Sequence, residues 1–135
     1  MGLKLVRPRR LLALTIFSCS ALTTTAQTLT PTSLGFGNWV VQTTSTSKAV
    51  VLNNTTTAPL AISSISVSGD FGQTSTCPIA PATLAAAGSC KVSVTFTPTA
   101  LGVRTGTLTV GDNASNTPQT AQLSGTGVTP VGLSP

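Results

Sequence analysis

Residues 90–97 read Cys90-Lys91-Val92-Ser93-Val94-Thr95-Phe96-Thr97. Its even-numbered positions are apolar and its odd-numbered positions are polar throughout. Because successive side chains of a β-strand point to opposite faces, this alternation predicts a strand with one buried face and one face in water. Cys90 and Phe96 then both lie on the buried face.

The same period of two recurs on both sides of that strand. The flanking runs with this pattern are 60–67, with a slip of phase at 63–64 that suggests a bulge, then 104–110 and 119–127. Turn residues separate the runs, and no stretch has a helical period. The sequence therefore predicts an all-β fold, an immunoglobulin-like sandwich of about seven antiparallel strands in two sheets.

The remaining segments complete this outline. Leu29-Thr30-Pro31-Thr32 is predicted to begin an edge-like strand, where proline is tolerated, and residues 74–77 are predicted to form a short strand. Phe71 is expected to enter the core from a loop. Leu84 is the expected core anchor of the loop at 78–88.

Charged residues are too few for a nucleic-acid interface or an enzyme. Of the seven lysines and arginines, four lie in the first ten residues, and the rest of the chain has three cations against two aspartates. Phosphate binding needs clustered cations. Catalysis needs a positioned acid, base, nucleophile or metal, and the chain has no histidine and no glutamate. We therefore predict no nucleic-acid partner, no enzyme activity and no cofactor.

The first 26 residues have the order of a secretory signal peptide. A cationic segment at 1–10 precedes an apolar run at 11–22, and the small residues at 24–26 predict cleavage after Ala26. The run is too short to span a bilayer. Residues 16–19 loosely match a lipobox, so an alternative is a lipoprotein anchored through Cys19. The predicted localisation is secreted, periplasmic or cell-surface, with membrane contact only through these segments.

The chain has three cysteines, and removal of the signal peptide leaves Cys77 and Cys90. Two cysteines in an exported chain most simply form a disulfide, and two buried free thiols are the alternative. Without histidine they cannot complete a zinc site.

The segment from Leu29 to Val128 resembles the abnormal-spindle/Hydin (ASH-type) Ig-like domains, especially the bacterial secreted relatives found in choice-of-anchor D proteins. The stretches that carry the resemblance are Leu34-Gly35-Phe36-Gly37, Asn54 to Leu60, Gly69-Asp70-Phe71, Leu84, Gly88-Ser89-Cys90, Phe96-Thr97-Pro98-Thr99, Gly102, Arg104 to Leu108 and Leu123 to Gly127. Thr56 stands where the pattern usually has glycine. The resemblance implies a seven-stranded sandwich, a Cys77–Cys90 disulfide and no catalytic site. In bacteria such domains occur as repeats in exported surface proteins.

These observations divide the chain into a signal peptide at 1–26, a domain at 27–128 and a tail at 129–135. Leu133-Ser134-Pro135 echoes Leu29-Thr30-Pro31, so the tail is either a linker or the start of a further repeat.

The predicted function is a non-catalytic structural, adhesive or protein-interaction module, whose partner is a protein or a cell-envelope component. The alternative is a carbohydrate- or ligand-binding module. Trp39 and Phe36 are the candidate surface residues for either role, and core packing is their other interpretation. Asp70 and Asp112 are predicted turn residues, which would form a calcium site only if the fold brought them together.

Overall fold

A computed structural model describes residue 2 and residues 27–131 of the chain. The predicted signal peptide and Cys19 lie outside these residues, apart from Gly2, as do residues 132–135. Within this described part the secondary structure consists of eight strands. They are β1 (Thr28–Thr30), β2 (Ser33–Val40), β3 (Lys48–Asn53), β4 (Ile62–Val67), β5 (Phe71–Ser75), β6 (Ser89–Phe96), β7 (Gly102–Asp112) and β8 (Gln119–Val128).

The strands form two four-stranded sheets, ordered β1-β3-β6-β5 and β2-β8-β7-β4. This confirms the predicted all-β, immunoglobulin-like sandwich. The strand pairs are antiparallel except for β2 and β8, which run parallel. The predicted slip at residues 63–64 is an irregularity between Ile62 and Ser64, where β4 pairs with β7.

The first predicted strand is divided between the sheets, which explains the count of eight instead of about seven. Leu29 belongs to β1 and pairs with Leu52, whereas Leu34 belongs to β2 and pairs with Leu123. Pro31 lies between them and has no amide hydrogen with which to continue the first ladder. The chain continues in the same direction from β1 into β2. In its new sheet, β2 lies parallel to β8.

Two local predictions differ from the structure. Phe71 is buried as expected, but it is the first residue of β5 and not part of a loop. The fifth strand covers 71–75, so Cys77 lies beyond it. Residues 71–75 pair with the long, regular strand β6, and this pairing sets the position of β5. The segment itself has no local sequence pattern that would predict it. Leu84 is buried and bridges to Leu60, as expected of a core anchor.

The core is centred on three phenylalanines from both sheets. The ring centroids of Phe36, Phe71 and Phe96 are 4.9–5.9 Å apart, within the range of favourable aromatic pairs. Phe96 has no exposed surface. Opposite it in β8 lies Gly125, where an added Cβ would be 2.7 Å from both Cδ1 and Cζ of the Phe96 ring. The close approach of the two sheets at this point therefore requires glycine.

This contact predicts the effect of one methyl group. Gly125→Ala should lower the free energy of unfolding by about 1–3 kcal/mol, because the Phe96 ring must shift within a packed core. Gly35→Ala is the matched control, since the nearest atom to its added Cβ is Ser124 Oγ at 3.9 Å. Urea unfolding of both variants checks this; equal stabilities would show that the sheets can separate at Phe96 without cost.

Candidate functional site

An open surface depression lies at the end of the sandwich where β2 and β8 finish. Here Trp39 pairs with Gly127 and Val40 with Val128. The groove has a volume of about 660 Å³. We call this depression the Trp39 groove. It is lined by Asn38, Trp39, Val40, Thr43, Val128, Thr129 and Val131.

Trp39 forms the fixed wall of this groove. Its side chain is half-buried and packs against the edge of the core. The indole Nε1–H donates a hydrogen bond of 2.8 Å to the backbone carbonyl of Phe36, which satisfies the one polar atom of the ring. The ring is therefore held in one orientation, with part of its surface available to a partner.

Phe36 does not belong to this surface and has the core position that was its other interpretation from the sequence. It is 7% exposed and contacts Phe71 and Phe96. The reason is the strand period: Leu34 faces the core, and Phe36 lies two residues further along the same strand. The register shift between Gly35 and Asn38 then ends this alternation before Trp39.

The groove continues into exposed apolar surface. Thr126 pairs with Asn38 on one side and with Val103 on the other, so Val103 lies beside the groove on β7. Val103 is 74% exposed and Val131 is fully exposed. None of the lining residues is charged. Apolar side chains with a few hydroxyl and amide groups suit contact with an apolar partner surface and offer no group for acid–base chemistry.

Cys77 and Cys90 form a disulfide; they are 13 positions apart in sequence and their Cα atoms are 4.9 Å apart. Both cysteines are buried. The bond ties the segment after β5 to the start of β6. It lies on the β1-β3-β6-β5 sheet and contributes no residue to the Trp39 groove.

The two aspartates are far apart, which excludes a calcium site shared between them. Asp70 contacts Arg104 near the start of β7, whereas Asp112 ends that strand. Eight residues of extended strand separate Arg104 from Asp112, about 26 Å at ~3.3 Å per residue. Within residues 27–131, no group of three or more histidine, cysteine, aspartate or glutamate side chains could hold a metal ion.

Asp70 and Arg104 have a structural role that the sequence did not indicate. The Arg104 Nε donates to Asp70 Oδ2 at 2.6 Å, and the Thr99 backbone N–H donates to the same oxygen at 3.0 Å. Thr99 Oγ1 donates to Asp70 Oδ1 at 2.9 Å. These bonds join the turn before β5 to the loop between β6 and β7. The partners are too distant in sequence for a local pattern to reveal them.

The second missed contact involves Lys48. Its Nζ donates to the Gly35 carbonyl at 2.6 Å and lies 5.6 Å from the Phe36 ring centroid. The ammonium thus covers the outer side of the aromatic core at the edge of the sandwich. Lys48 and Arg104 therefore both make specific contacts with other segments of the chain.

The Asp70 carboxyl predicts a dependence of stability on pH. The hydrogen bond from Arg104, helped by the backbone N–H of Thr99, lowers the pKa of Asp70 from 3.8 to about 2. Because the folded-state pKa is the lower one, the ionised carboxylate stabilises the fold above pH 3.8, and this contribution is lost as the pH falls toward 2.

We therefore expect Asp70→Asn to unfold at a lower temperature than the wild type at neutral pH, with a gap that closes as the pH is lowered to about 2. Arg104→Gln is the matched partner variant, and at neutral pH it should lower the unfolding temperature by most of the same amount. Thermal unfolding between neutral pH and pH 2 measures this. A gap that is constant over the whole range would contradict the ion-pair explanation.

The disulfide predicts a second change in stability. Replacing both cysteines, Cys77→Ala with Cys90→Ala, should lower the free energy of unfolding by about 3 kcal/mol, because the 13-residue loop is no longer closed in the unfolded chain. Denaturant unfolding is the measurement, and the wild type in reductant is the control that should match the double variant. Free thiols in the native, unreduced protein would contradict the disulfide.

The chain was compared with family models, curated proteins and solved structures. The family model described as "Abnormal spindle-like microcephaly-assoc'd, ASPM-SPD-2-Hydin" (ASH) matches residues 17–120. No curated protein sequence matches the chain. Among solved structures, the ASH/PapD-like domain 7 of human CEP192 is similar at 21% identity, with a TM-score of 0.59, over 77% of this chain and 86% of that one.

Two bacterial structures also share the fold over a fraction of their length. One is the secreted serine protease VesC from Vibrio cholerae, at 16% identity and a TM-score of 0.51, over 70% of this chain and 21% of VesC. The other is a family 123 glycoside hydrolase from Clostridium perfringens, at 10% identity and a TM-score of 0.59, over 73% of this chain and 23% of the hydrolase. These identities show the fold alone. By the match of its family model over most of its length, the chain belongs to the ASH family of PapD-like, immunoglobulin-like domains.

Proposed function

We propose that this chain is a non-catalytic module of an exported or cell-surface protein and that it binds an apolar surface of a protein or cell-envelope partner through the Trp39 groove. The observation that carries the proposal is the groove itself: an open apolar depression, walled by a fixed indole and free of charged residues. Aromatic residues at the centre of such surfaces commonly carry most of the binding energy.

The proposed setting outside the cytosol rests on two features. The disulfide between Cys77 and Cys90 suits an oxidising compartment, since structural disulfides are rare where thiols are kept reduced. Residues 1–26 have the pattern of a signal peptide. In the described residues, no helix has the length and apolar character required to cross a membrane.

The absence of catalysis is proposed from the chemistry of the ionisable groups. The chain has two carboxylates, and one of them, Asp70, is engaged by Arg104 and Thr99. The Trp39 groove contains neither of them. ASH domains of this kind are generally non-catalytic, and the two enzymes with a similar fold match it over less than a quarter of their own chains.

The carbohydrate alternative is less well supported by the groove. A sugar site combines an exposed aromatic face with several converging polar groups, because each buried hydroxyl needs a partner. Here the indole is half-buried, and valines at 40, 128 and 131 form much of the remaining lining. We therefore propose a protein or envelope partner with an apolar contact surface.

Two further predictions from the sequence fit the same proposal. One is a tail at 129–135 that links this module to a further one, and the other is anchoring through a lipidated Cys19.

The groove variants Val131→Asp and Trp39→Ala should each weaken capture of the native partner at least about tenfold, because a charge or a lost anchor disrupts an apolar contact. Ala86→Asp, a change at an exposed position in the loop at 78–88 and away from the groove, is the control. Quantitative mass spectrometry of cell-envelope proteins retained by each immobilised variant gives the readout. Retention that is unaffected by both groove variants would exclude the Trp39 groove as the binding surface.

A further inference from the structure

The end of the sandwich opposite the Trp39 groove is closed by polar side chains. Four buried polar residues lie at strand ends there: Gln27, Asn54, Asp112 and Gln119. Gln27 immediately precedes β1 and is 3% exposed. It lines a cavity of about 200 Å³, together with residues of the loop between β7 and β8.

The side-chain amide of Gln27 is weakly held. Its Nε2 donates to Asn54 Oδ1 at 3.3 Å, longer than a typical N–H···O bond. Its Oε1 is buried and has no hydrogen-bond partner. The backbone carbonyl, by contrast, accepts a 3.0 Å bond from Asn116 Nδ2. The main chain of Gln27 is thus anchored, while its carboxamide contributes little to the fold.

We infer that Gln27 is the first residue of the exported chain and is converted to pyroglutamate. The inference rests on the proposed export, because cleavage after Ala26 is what frees the α-amine of Gln27. That nitrogen attacks the side-chain Cδ, so an Nα–Cδ bond forms and the Cδ–Nε2 bond breaks. Nε2 leaves as ammonia and takes its extra proton from the amine, and no oxidant or reductant takes part. The product is a neutral five-membered lactam.

Burial favours the lactam over the linear form. A free α-amine has a pKa of about 7.7–8.0 and is therefore largely protonated at neutral pH. Gln27 is almost completely buried in the folded chain, and a charge at such a position is unfavourable unless it is paired. Cyclisation removes the charge and retains the anchored carbonyl.

The surrounding fold tolerates the loss of Nε2. Asn54 Oδ1 also accepts bonds from the Thr56 N–H at 3.2 Å and from Thr56 Oγ1 at 2.7 Å. Asn54 Nδ2 donates to the carbonyls of Ala58 and Ala85 at 2.9 and 3.0 Å. Asn54 therefore stays satisfied when the Gln27 amide is gone, and the pairing of Thr28 with Asn53 in β1 is unaffected.

The test is the mass of the exported protein. The full chain with its own first 26 residues is expressed in a secreting bacterial host, and the intact mass of the exported product is measured before any digestion. We expect the linear 27–135 chain less one ammonia, after allowance for the disulfide. Fragmentation of the N-terminal tryptic peptide, which ends at Lys48, then locates the loss at Gln27. Gln27→Asn is the matched control: it keeps an amide but cannot form the five-membered ring, so it should retain its ammonia and be trimmed by an aminopeptidase that leaves the wild type intact.

Two different results would overturn the inference. A chain that begins at a linear Gln27 would refute cyclisation and leave the export proposal standing. A chain that begins elsewhere, for example at a lipidated Cys19, would refute the cleavage site together with the modification.

Discussion

The approach of the two sheets around Phe96 is the constraint on which the rest of the structure depends. This ring is fully buried between Phe71 of its own sheet and Phe36 of the other. It fits because β8 has glycine opposite it, at position 125. Core packing of this density fixes the separation of the sheets and holds Phe36 of β2 in the core. Beyond Phe36, the register shift between Gly35 and Asn38 precedes the pairing of Trp39 with Gly127, where the groove lies.

The sandwich closes its two ends in chemically different ways. At one end, buried amides and a carboxylate meet, and Asn54 bridges β3 to the loops that follow it. At the other end, apolar side chains remain accessible around Trp39. Buried polar groups need fixed partners, so the polar end is determined by the chain itself. Apolar surface has no such requirement and is stabilised by any partner that excludes water, so the apolar end is the one suited to binding.

The few charged residues act as connectors between segments. Asp70 and Arg104 join two loops of the same end through Thr99, and Lys48 reaches from β3 across the edge of the core to the Gly35 carbonyl of β2. Each contact links elements that are not neighbours in their own sheet. None of these charged residues lines the Trp39 groove, which suits an apolar contact surface.

The all-β sandwich could be predicted from the amino-acid sequence, because the alternation in β6, β7 and β8 assigns inner and outer faces without reference to any other segment. The cysteine pair could also be predicted, since only two cysteines follow the predicted cleavage site. Three features became visible in the folded chain: Pro31 lies where the first strand divides between the sheets, Phe36 is buried while Trp39 remains accessible, and Asp70 pairs with Arg104. These features depend on contacts between residues distant in sequence and on the register between strands, which a periodic pattern along one strand does not contain.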